Sequence, residues 1–499
     1  MQTKCAIKEN NLNMKKSEGG IFKKVAQKGG VYFISSILIK VLQVIILPLI
    51  TRYIDTRNYG ILEVVNAIRM VLPSLISLCL DAAYYRFYYK YNNDEKMLRR
   101  FISSYFWLIV GWGTFFIFIS IIISFFYLDA NSMDYLFHPF MTLAMMGILL
   151  YQLSFIGNAF QLQNLKAEFV GLVNIIYYVI LNGIFIFLLI VPKMEAEAKI
   201  YGMFAADIFY FLIYLWVFLR KKLIAFEFDF NVIKEGLKYS LPLIPSQLCS
   251  WITLLSDKLV VGAFKGFAET GVYSIGYSLA QMVAVFSGAI FLAYKPIMYE
   301  GFSEDDKTGG EKVGHFLPIY YFVCLWIVVG ISVLGREAIA ILTESSYHGA
   351  FVFVPIVALA YLFQSWYRPF NEILNFYKKT VLVAVSSIIQ GAANLLLNIL
   401  LVPKFGAMGA SWATLVSLFL LGAFVFVWSQ KIHHINICYW RFLAITILAV
   451  FCWMILSYFG NTIFSLGIVW SILIKVIIVC VFAALTFVFR ILRLKDLKR

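Results

Sequence analysis

Two basic residues lie deep inside apolar segments of this chain. Lys40 and Arg69 each stand about ten residues from the end of an apolar run that is long enough to cross a bilayer. A charged side chain in the hydrocarbon layer costs several kcal/mol unless it faces a polar cavity or an opposite charge. Two cations at this depth suit an anionic ligand. Phosphate is the strongest candidate because it accepts charge-assisted hydrogen bonds.

The polar residues near both cations recur at helical spacing, three of them inside one sector of about 120° on a helical wheel. They predict a water-filled cavity whose lining residues bind the substrate: Lys40, Gln43, Glu63, Asn66 and Arg69. The open alternative is pairing inside the protein, in which Lys40 would bond Glu63. Arg69 would in that case bond either Glu63 or Asp81.

A second pair of charges, Asp257 and Lys258, lies near the far end of a later apolar run. Adjacent residues on a helix are about 100° apart, so these two are not facing partners. Both are candidates for the same substrate cavity, and Asp257 is also the candidate for an ion-coupling group. The alternative for Asp257 is simple hydration near the outer interface.

Other polar residues in apolar runs have two interpretations each. Gln390, Asn394 and Asn398 form a stripe at i, i+4 and i+8, which predicts either helix-to-helix hydrogen bonds or sugar contacts. Lys475 is the one charged residue in the last apolar run. Its side chain is predicted either to contact a partner or to snorkel to the membrane surface.

No motif for cofactor or metal chemistry is present in the sequence. The seven cysteines are scattered without a CxxC pair, and there is neither a GxxxxGK[ST] phosphate loop nor an HExxH motif. We therefore expect no cofactor, no metal and no ATP hydrolysis, and we do not expect an enzyme.

The elements that position these residues are membrane helices. The chain has 499 residues, of which 62% are apolar and 14% charged, a composition typical of a multi-pass membrane protein. Its apolar runs predict an all-α fold with about 14 transmembrane helices, at 29–50, 60–82, 103–127, 139–158, 168–191, 200–219, 238–262, 272–294, 315–334, 349–367, 379–401, 407–429, 441–459 and 464–489.

The net charge of +15 does not indicate nucleic-acid binding, because the basic residues fall mainly in loops on one side of the membrane. With the N-terminus inside, 31 of the 42 Lys and Arg residues fall in cytoplasmic segments and 7 in outer loops. The positive-inside rule then places both termini in the cytoplasm.

Two separate matches at an offset of 211 residues indicate an internal repeat. Residues 53–65 match 264–276, with Gly271 over Gly60, and 164–193 match 375–404. Six helices separate equivalent positions, so the repeat is parallel and predicts two six-helix lobes around a central cleft. The predicted segments are a basic cytoplasmic tail at 1–28, a first lobe at 29–219, a cytoplasmic linker at 220–237, a second lobe at 238–429, and two extra helices with a basic tail at 430–499.

Four stretches resemble a known family. They read LPLITRYIDTRNYGILEVV, LDAAYYRFYYKYNNDEKMLRR, SDKLVVGAFKGFAETGVYSIGYSLA and KFGAMGASWAT. They are similar to the polysaccharide-unit (lipid-linked oligosaccharide) flippases of the multidrug/oligosaccharidyl-lipid/polysaccharide exporter superfamily. The resemblance spans nearly the whole chain, including the fourteen-helix layout.

The resemblance implies a transporter in the bacterial plasma membrane. Its substrate would be an undecaprenyl-diphosphate-linked oligosaccharide, moved from the inner to the outer leaflet by alternating access for capsule, O-antigen or another exopolysaccharide. Lys40 and Arg69 would present the positive charge that this family offers to the sugar diphosphate. Membrane lipids, a coupling ion (H⁺ or Na⁺) and polysaccharide polymerase machinery are the partners that it leaves open.

Three other functions stay open. An ion-coupled exporter of cationic drugs belongs to the same superfamily, although midplane cations argue against it. A peptidoglycan-precursor or spore-wall flippase of the same superfamily is hardly separable from the leading interpretation by sequence alone. A membrane polymerase or ligase is the enzyme alternative, but such enzymes typically need a large catalytic outer loop, and no outer loop here is long enough.

Overall fold

The computed structural model of the protein describes residues 42–43, 45–92, 94–127, 141–164, 166–303, 306–435 and 437–488. These residues form α-helices joined by short segments, with no strand among them, so the predicted all-α fold is confirmed. The helices are α1 (Thr56–Ile76), α2 (Leu80–Tyr91), α3 (Glu95–Tyr127), α4 (Thr142–Gln163), α5 (Ala167–Ile190), α6 (Ala196–Arg220), α7 (Phe230–Ser240), α8 (Ile244–Lys265), α9 (Phe267–Ser303), α10 (Asp306–Leu342), α11 (Val354–Phe376), α12 (Thr380–Phe405), α13 (Ala407–Ile432), α14 (Tyr439–Tyr458), α15 (Gly460–Ser465) and α16 (Ile468–Val488).

Among the described residues, eleven helices are long and apolar enough to cross a membrane. The number rises to twelve if the 3₁₀-helix Ser345–Val352 and α11, which meet at 49°, count as one broken span. The first predicted span, 29–50, lies mostly outside the described residues. The total of 14 spans and the internal repeat therefore stay predictions.

Two helices extend well beyond their predicted spans, and one ends early. α9 and α10 are 37 residues each and continue past the predicted boundaries at 294 and 315, because polar residues can extend a helix into water. The predicted span 60–82 instead breaks after Ile76, since Leu78 and Cys79 adopt left-handed backbone conformations with φ of 53° and 55°.

The chain folds into two compact units. The first contains Ile68–Ile244 together with the described residues up to Tyr53. The second contains Ile54–Ala67 and the chain from Pro245 onward. The start of helix α1, up to Ala67, therefore belongs to the second unit, and the rest of the helix belongs to the first unit.

In the first unit, the segment between α6 and α8 is bonded to α3. Asp229 caps α7 by accepting from the backbone N–H groups of Asn231 and Val232. The Ala225 carbonyl accepts from Trp107 Nε1 at 2.8 Å, and the Ser103 hydroxyl accepts from the Ala225 N–H at 2.9 Å. These bonds position the segment that the sequence predicts to be a linker.

In the second unit, α1 and α9 begin in very close contact. A Cβ at Gly60 would overlap the Phe267 carbonyl oxygen, and a Cβ at Gly271 would overlap the Thr56 carbonyl oxygen. Only glycine allows two helix backbones to approach this closely. The glycines that align between the two halves of the sequence therefore pack near each other at these helix starts.

Candidate functional site

The predicted cation Arg69 lies in the first unit and forms an ion pair with Asp207 of α6. Asp207 is fully buried, whereas the Arg69 side chain keeps 14% of its surface exposed. The Tyr177 hydroxyl of α5 donates to the second carboxylate oxygen of Asp207 at 2.9 Å. α4 supplies Gly147, where a Cβ would overlap the Asp207 carboxylate. The pair is thus fully buried on the Asp207 side and keeps a small exposed surface on the Arg69 side.

Tyrosine and asparagine side chains surround this pair. The Tyr151 and Tyr210 rings stack at 5.3 Å, and the Tyr177 ring meets Tyr210 edge-on at the same distance. Asn158 donates to the Tyr210 hydroxyl, which donates to Asn174. The surroundings of Arg69 therefore combine flat ring faces with fixed amide groups.

Glu63, Asn66 and Lys258 come together in the second unit. Lys258 of α8 forms an ion pair with Glu63 of α1, whose other oxygen lies 3.4 Å from Asn66 Nδ2. The Lys258 ammonium also lies 5.8 Å from the centre of the Tyr277 ring. Both charged side chains are largely buried, at 10% and 14% exposure, so each charge depends on the other.

Asp257 occupies a separate polar cluster in the second unit. Its carboxylate accepts hydrogen bonds from Asn398 of α12 at 2.6 Å, from Tyr273 of α9 at 3.0 Å, and from Thr414 of α13. Asp257 is 1% exposed, so simple hydration at the outer interface is the wrong interpretation of this residue. A carboxylate ringed by neutral oxygen- and nitrogen-bearing groups is suited to a proton or a small hard cation.

The asparagine stripe of α12 extends this cluster. Asn398 also donates to Asn394, whose oxygen accepts from the Ser256 hydroxyl at 3.0 Å. Both asparagines are fully buried. Of the two interpretations of the stripe, helix-to-helix hydrogen bonding describes the Ser256–Asn394 contact between α8 and α12, whereas the Asn398–Asn394 bond lies within α12.

The structure does not bring Gln43 into these clusters, and it leaves the prediction for Lys40 untested. Lys40 lies outside the described residues, and the Gln43 side chain is exposed. Arg69 pairs with neither Glu63 nor Asp81, which corrects the predicted internal alternatives. Its partner Asp207 was missed because 138 residues separate the two. An acidic residue inside the apolar run 200–219 was the signal that could have found it.

Lys475 is not alone in its helix bundle. Its ammonium bonds Glu337 of α10 at 2.6 Å and the Val333 carbonyl at 3.0 Å, and Ser471 donates to the same Glu337 oxygen. Lys475 and Glu337 are 4% and 1% exposed. Pairing within the chain replaces both the snorkelling and the partner-contact interpretations.

These helices and buried charge clusters define a multi-pass membrane protein whose polar groups are enclosed by apolar spans. The structure is similar over 94% of this chain to the inward closed conformation of the lipid II flippase MurJ, with a TM-score of 0.72, 16% identity and 99% of that chain covered. An inward-facing multidrug resistance MATE family transporter of the MOP superfamily gives a TM-score of 0.55 at 12% identity, covering 75% of this chain and 87% of that one. These likenesses show the fold.

The family described as polysaccharide biosynthesis protein matches residues 25–302, more than half of the chain, and this protein belongs to that family. The predicted resemblance is therefore confirmed. A relative from Haloferax volcanii, the probable low-salt glycan biosynthesis flippase Agl15, is 23% identical over 232 residues. That match covers 46% of this chain and 48% of the relative, so the chain aligns with about half of the relative's length.

Proposed function

We propose that this protein is a flippase that moves a lipid-linked glycan across the membrane. The observation that carries the proposal is the match to a polysaccharide biosynthesis family in a chain whose described part is almost entirely membrane helix. A family member built in this way acts on a polymer intermediate inside the bilayer. The flippase named among its relatives supports transport over catalysis.

In its finer form, the substrate is an undecaprenyl-diphosphate-linked oligosaccharide that moves from the inner to the outer leaflet of a bacterial plasma membrane. The product would serve capsule, O-antigen or another exopolysaccharide. Arg69 is the group that meets the diphosphate, since its side chain keeps 14% of its surface exposed and a guanidinium can form paired hydrogen bonds with phosphate oxygens. The phosphate would replace Asp207 as the partner of Arg69 during transport. The nearby tyrosine rings and amides offer the sugars flat faces and hydrogen bonds.

Coupling to an ion gradient forms the second part of the proposal. Asp257 is the group that takes up H⁺ or Na⁺, since its carboxylate is buried and already ringed by hydrogen-bond donors. Binding a cation would neutralise the Asp257 carboxylate, and its release would restore the charge. Such a change in buried charge shifts the balance between two conformations of a transporter.

The test is a translocation assay in proteoliposomes with fluorescently labelled undecaprenyl diphosphate that carries a short oligosaccharide. We expect the wild type to expose the label to an impermeant quencher, Arg69→Ala to stop this exposure, and Arg69→Lys to retain part of it. Arg52→Ala is the matched control, because Arg52 is exposed to solvent. Absence of translocation by the wild type, with every glycan tried, would contradict the proposed function.

A further inference from the structure

Arg368 is a cation inside helix α11, although it lies outside the spans that the sequence predicts. The predicted span 349–367 stops just before it, but α11 continues to Phe376, eight residues further and roughly 12 Å along the helix axis. The side chain is half-buried. Among the described residues, no carboxylate lies within ion-pair distance of Arg368, unlike Arg69, Lys258 and Lys475.

Neutral groups of α9 surround this guanidinium. One nitrogen donates to the Ala284 carbonyl at 3.1 Å and another lies 3.4 Å from the Ser287 hydroxyl. A guanidinium has five N–H donors, and neutral oxygens do not balance its charge. Gly288 leaves room for it, since a Cβ there would lie 2.6 Å from Arg368 Nη1. α9 thus leaves space for the Arg368 guanidinium and bonds it through neutral groups. The positive charge of Arg368 therefore remains able to attract an anion.

We infer that Arg368, held against Ser287 and Gly288 of α9, binds the diphosphate of a polyprenyl-diphosphate carrier. A half-buried guanidinium whose hydrogen-bond partners among the described residues are neutral is costly, and an anionic headgroup would offset that cost. With both termini in the cytoplasm, this part of α11 lies in the inner half of the bilayer, where a carrier lipid is loaded from the cytoplasmic side. The inference rests on the proposed function and adds a second phosphate contact to it.

Binding is tested on the purified protein by thermal shift, with farnesyl diphosphate as the probe and farnesol as the uncharged comparison. We expect farnesyl diphosphate to raise the Tm of the wild type, farnesol to leave it unchanged, and inorganic pyrophosphate to compete. Arg368→Gln should lose most of the shift and Arg368→Lys should keep part of it. An equal shift with phosphatidylglycerol would overturn the assignment to the carrier diphosphate.

Transport provides a second measurement. Gln keeps a polar side chain with an N–H donor but carries no charge, so it helps to separate anion binding from a purely structural link between α9 and α11. We expect Arg368→Gln to raise KM for the labelled carrier about 10-fold or more, as for the loss of one charge-assisted hydrogen bond. Gly288→Ala should do the same by displacing the guanidinium. Gly330→Ala is its control, since a Cβ there meets nothing within 4 Å.

The outcomes separate the two proposals. A wild type that binds farnesyl diphosphate but translocates no glycan would contradict the flippase and leave this anion site standing. If the wild type translocates the glycan and both Arg368→Gln and Gly288→Ala keep the wild-type KM, the anion site is contradicted and the flippase function is not. If Arg368→Gln does not fold, two other measurements test the anion site. They are the KM of Gly288→Ala and the difference in Tm shift between farnesyl diphosphate and farnesol with the wild type.

Discussion

Asp257 and Lys258 are consecutive residues with entirely different partners. Asp257 accepts hydrogen bonds from neutral side chains, Asn398 among them, whereas Lys258 pairs with the carboxylate of Glu63. Because successive side chains on a helix diverge by about 100°, one turn of α8 serves two separate polar clusters. One cluster is a balanced ion pair and the other holds a carboxylate without a cation. Variants of the two residues should therefore behave differently.

Charge exchange tests the first cluster. Lys258→Glu and Glu63→Lys alone each put two like charges together in a largely buried place, and we expect each to cost about 3–5 kcal/mol of stability. The double exchange restores an opposite pair and should recover most of the loss. Tm and the yield of monodisperse protein measure both effects. A double variant no better than the singles would contradict a direct pairing.

Removal of the Asp257 charge tests the second cluster. Asp257→Asn keeps the size of the side chain but removes the charge, so we expect gradient-driven translocation to fall at least 10-fold while gradient-free exchange persists. The measurement compares proteoliposomes with and without an imposed H⁺ or Na⁺ gradient. Asn394→Asp is a useful companion, since it adds a carboxylate to the same cluster. Undiminished gradient response in Asp257→Asn would exclude this residue as the coupling group.

Neutralisation of both members separates structure from transport in the Arg69–Asp207 pair. Asp207→Asn or Arg69→Gln alone leaves one buried charge without its partner, at a cost of about 3–5 kcal/mol. The double variant Arg69→Gln/Asp207→Asn should recover most of the stability but no translocation, because the cation for the diphosphate is gone. The pair Arg99/Glu227, which is 43% and 36% exposed, is the control, and its neutralisation should change stability by less than about 1 kcal/mol. Transport by the double Arg69/Asp207 variant would show that the cation is dispensable.

A pH dependence is expected from Lys90 and Glu235, which lie outside the membrane spans. Their hydrogen bonds, 2.6 and 2.7 Å long, lower the pKa of Glu235 below its usual 4.5 and raise the pKa of Lys90 above its usual 10.5. Stability from Glu235 is present above pH 4.5 and is lost as the pH falls through its lowered pKa. Stability from Lys90 is present below pH 10.5 and is lost as the pH rises through its raised pKa.

Because Lys90 is 55% exposed, this pair contributes well under about 1 kcal/mol. Glu235→Gln should accordingly lower Tm slightly at pH 7 and by a smaller amount at pH 3, because the stability from the Glu235 charge is lost as the pH falls below 4.5 and through its lowered pKa. Thermal unfolding at the two pH values measures the difference. The same decrement at both values would mean that charge has no part in this contact.

The sequence alone predicts which helix faces are polar but not which faces meet. Glu63, Asn66 and Arg69 share a sector at helical spacing, and the structure finds all three bonded to polar groups. Their partners are 138 and 195 residues away for Arg69 and Glu63, a distance that no periodicity within one helix can bridge. Tertiary packing decides those pairs. The roles of Lys40, Gln43 and the other cavity residues in binding stay predictions.

Some predicted span boundaries differ from the helix ends for a related reason. Arg368 ends a hydropathy window because it is charged, yet the helix continues through it. Backbone hydrogen bonds continue wherever the next residue can remain helical, whatever its charge. A charged residue at the edge of an apolar run is therefore a weak signal for the end of a helix, and a candidate ligand contact can be overlooked there.

The buried link between Lys475 and Glu337 has a consequence for shortened forms of the gene product. A stop codon after residue 459 would delete none of the candidate binding residues. It would, however, remove Lys475 and leave the buried Glu337 carboxylate without its ion-pair partner. Quality-control proteases recognise such exposed defects in membrane helices. Natural or engineered truncations at that point should therefore fail in biogenesis rather than in transport.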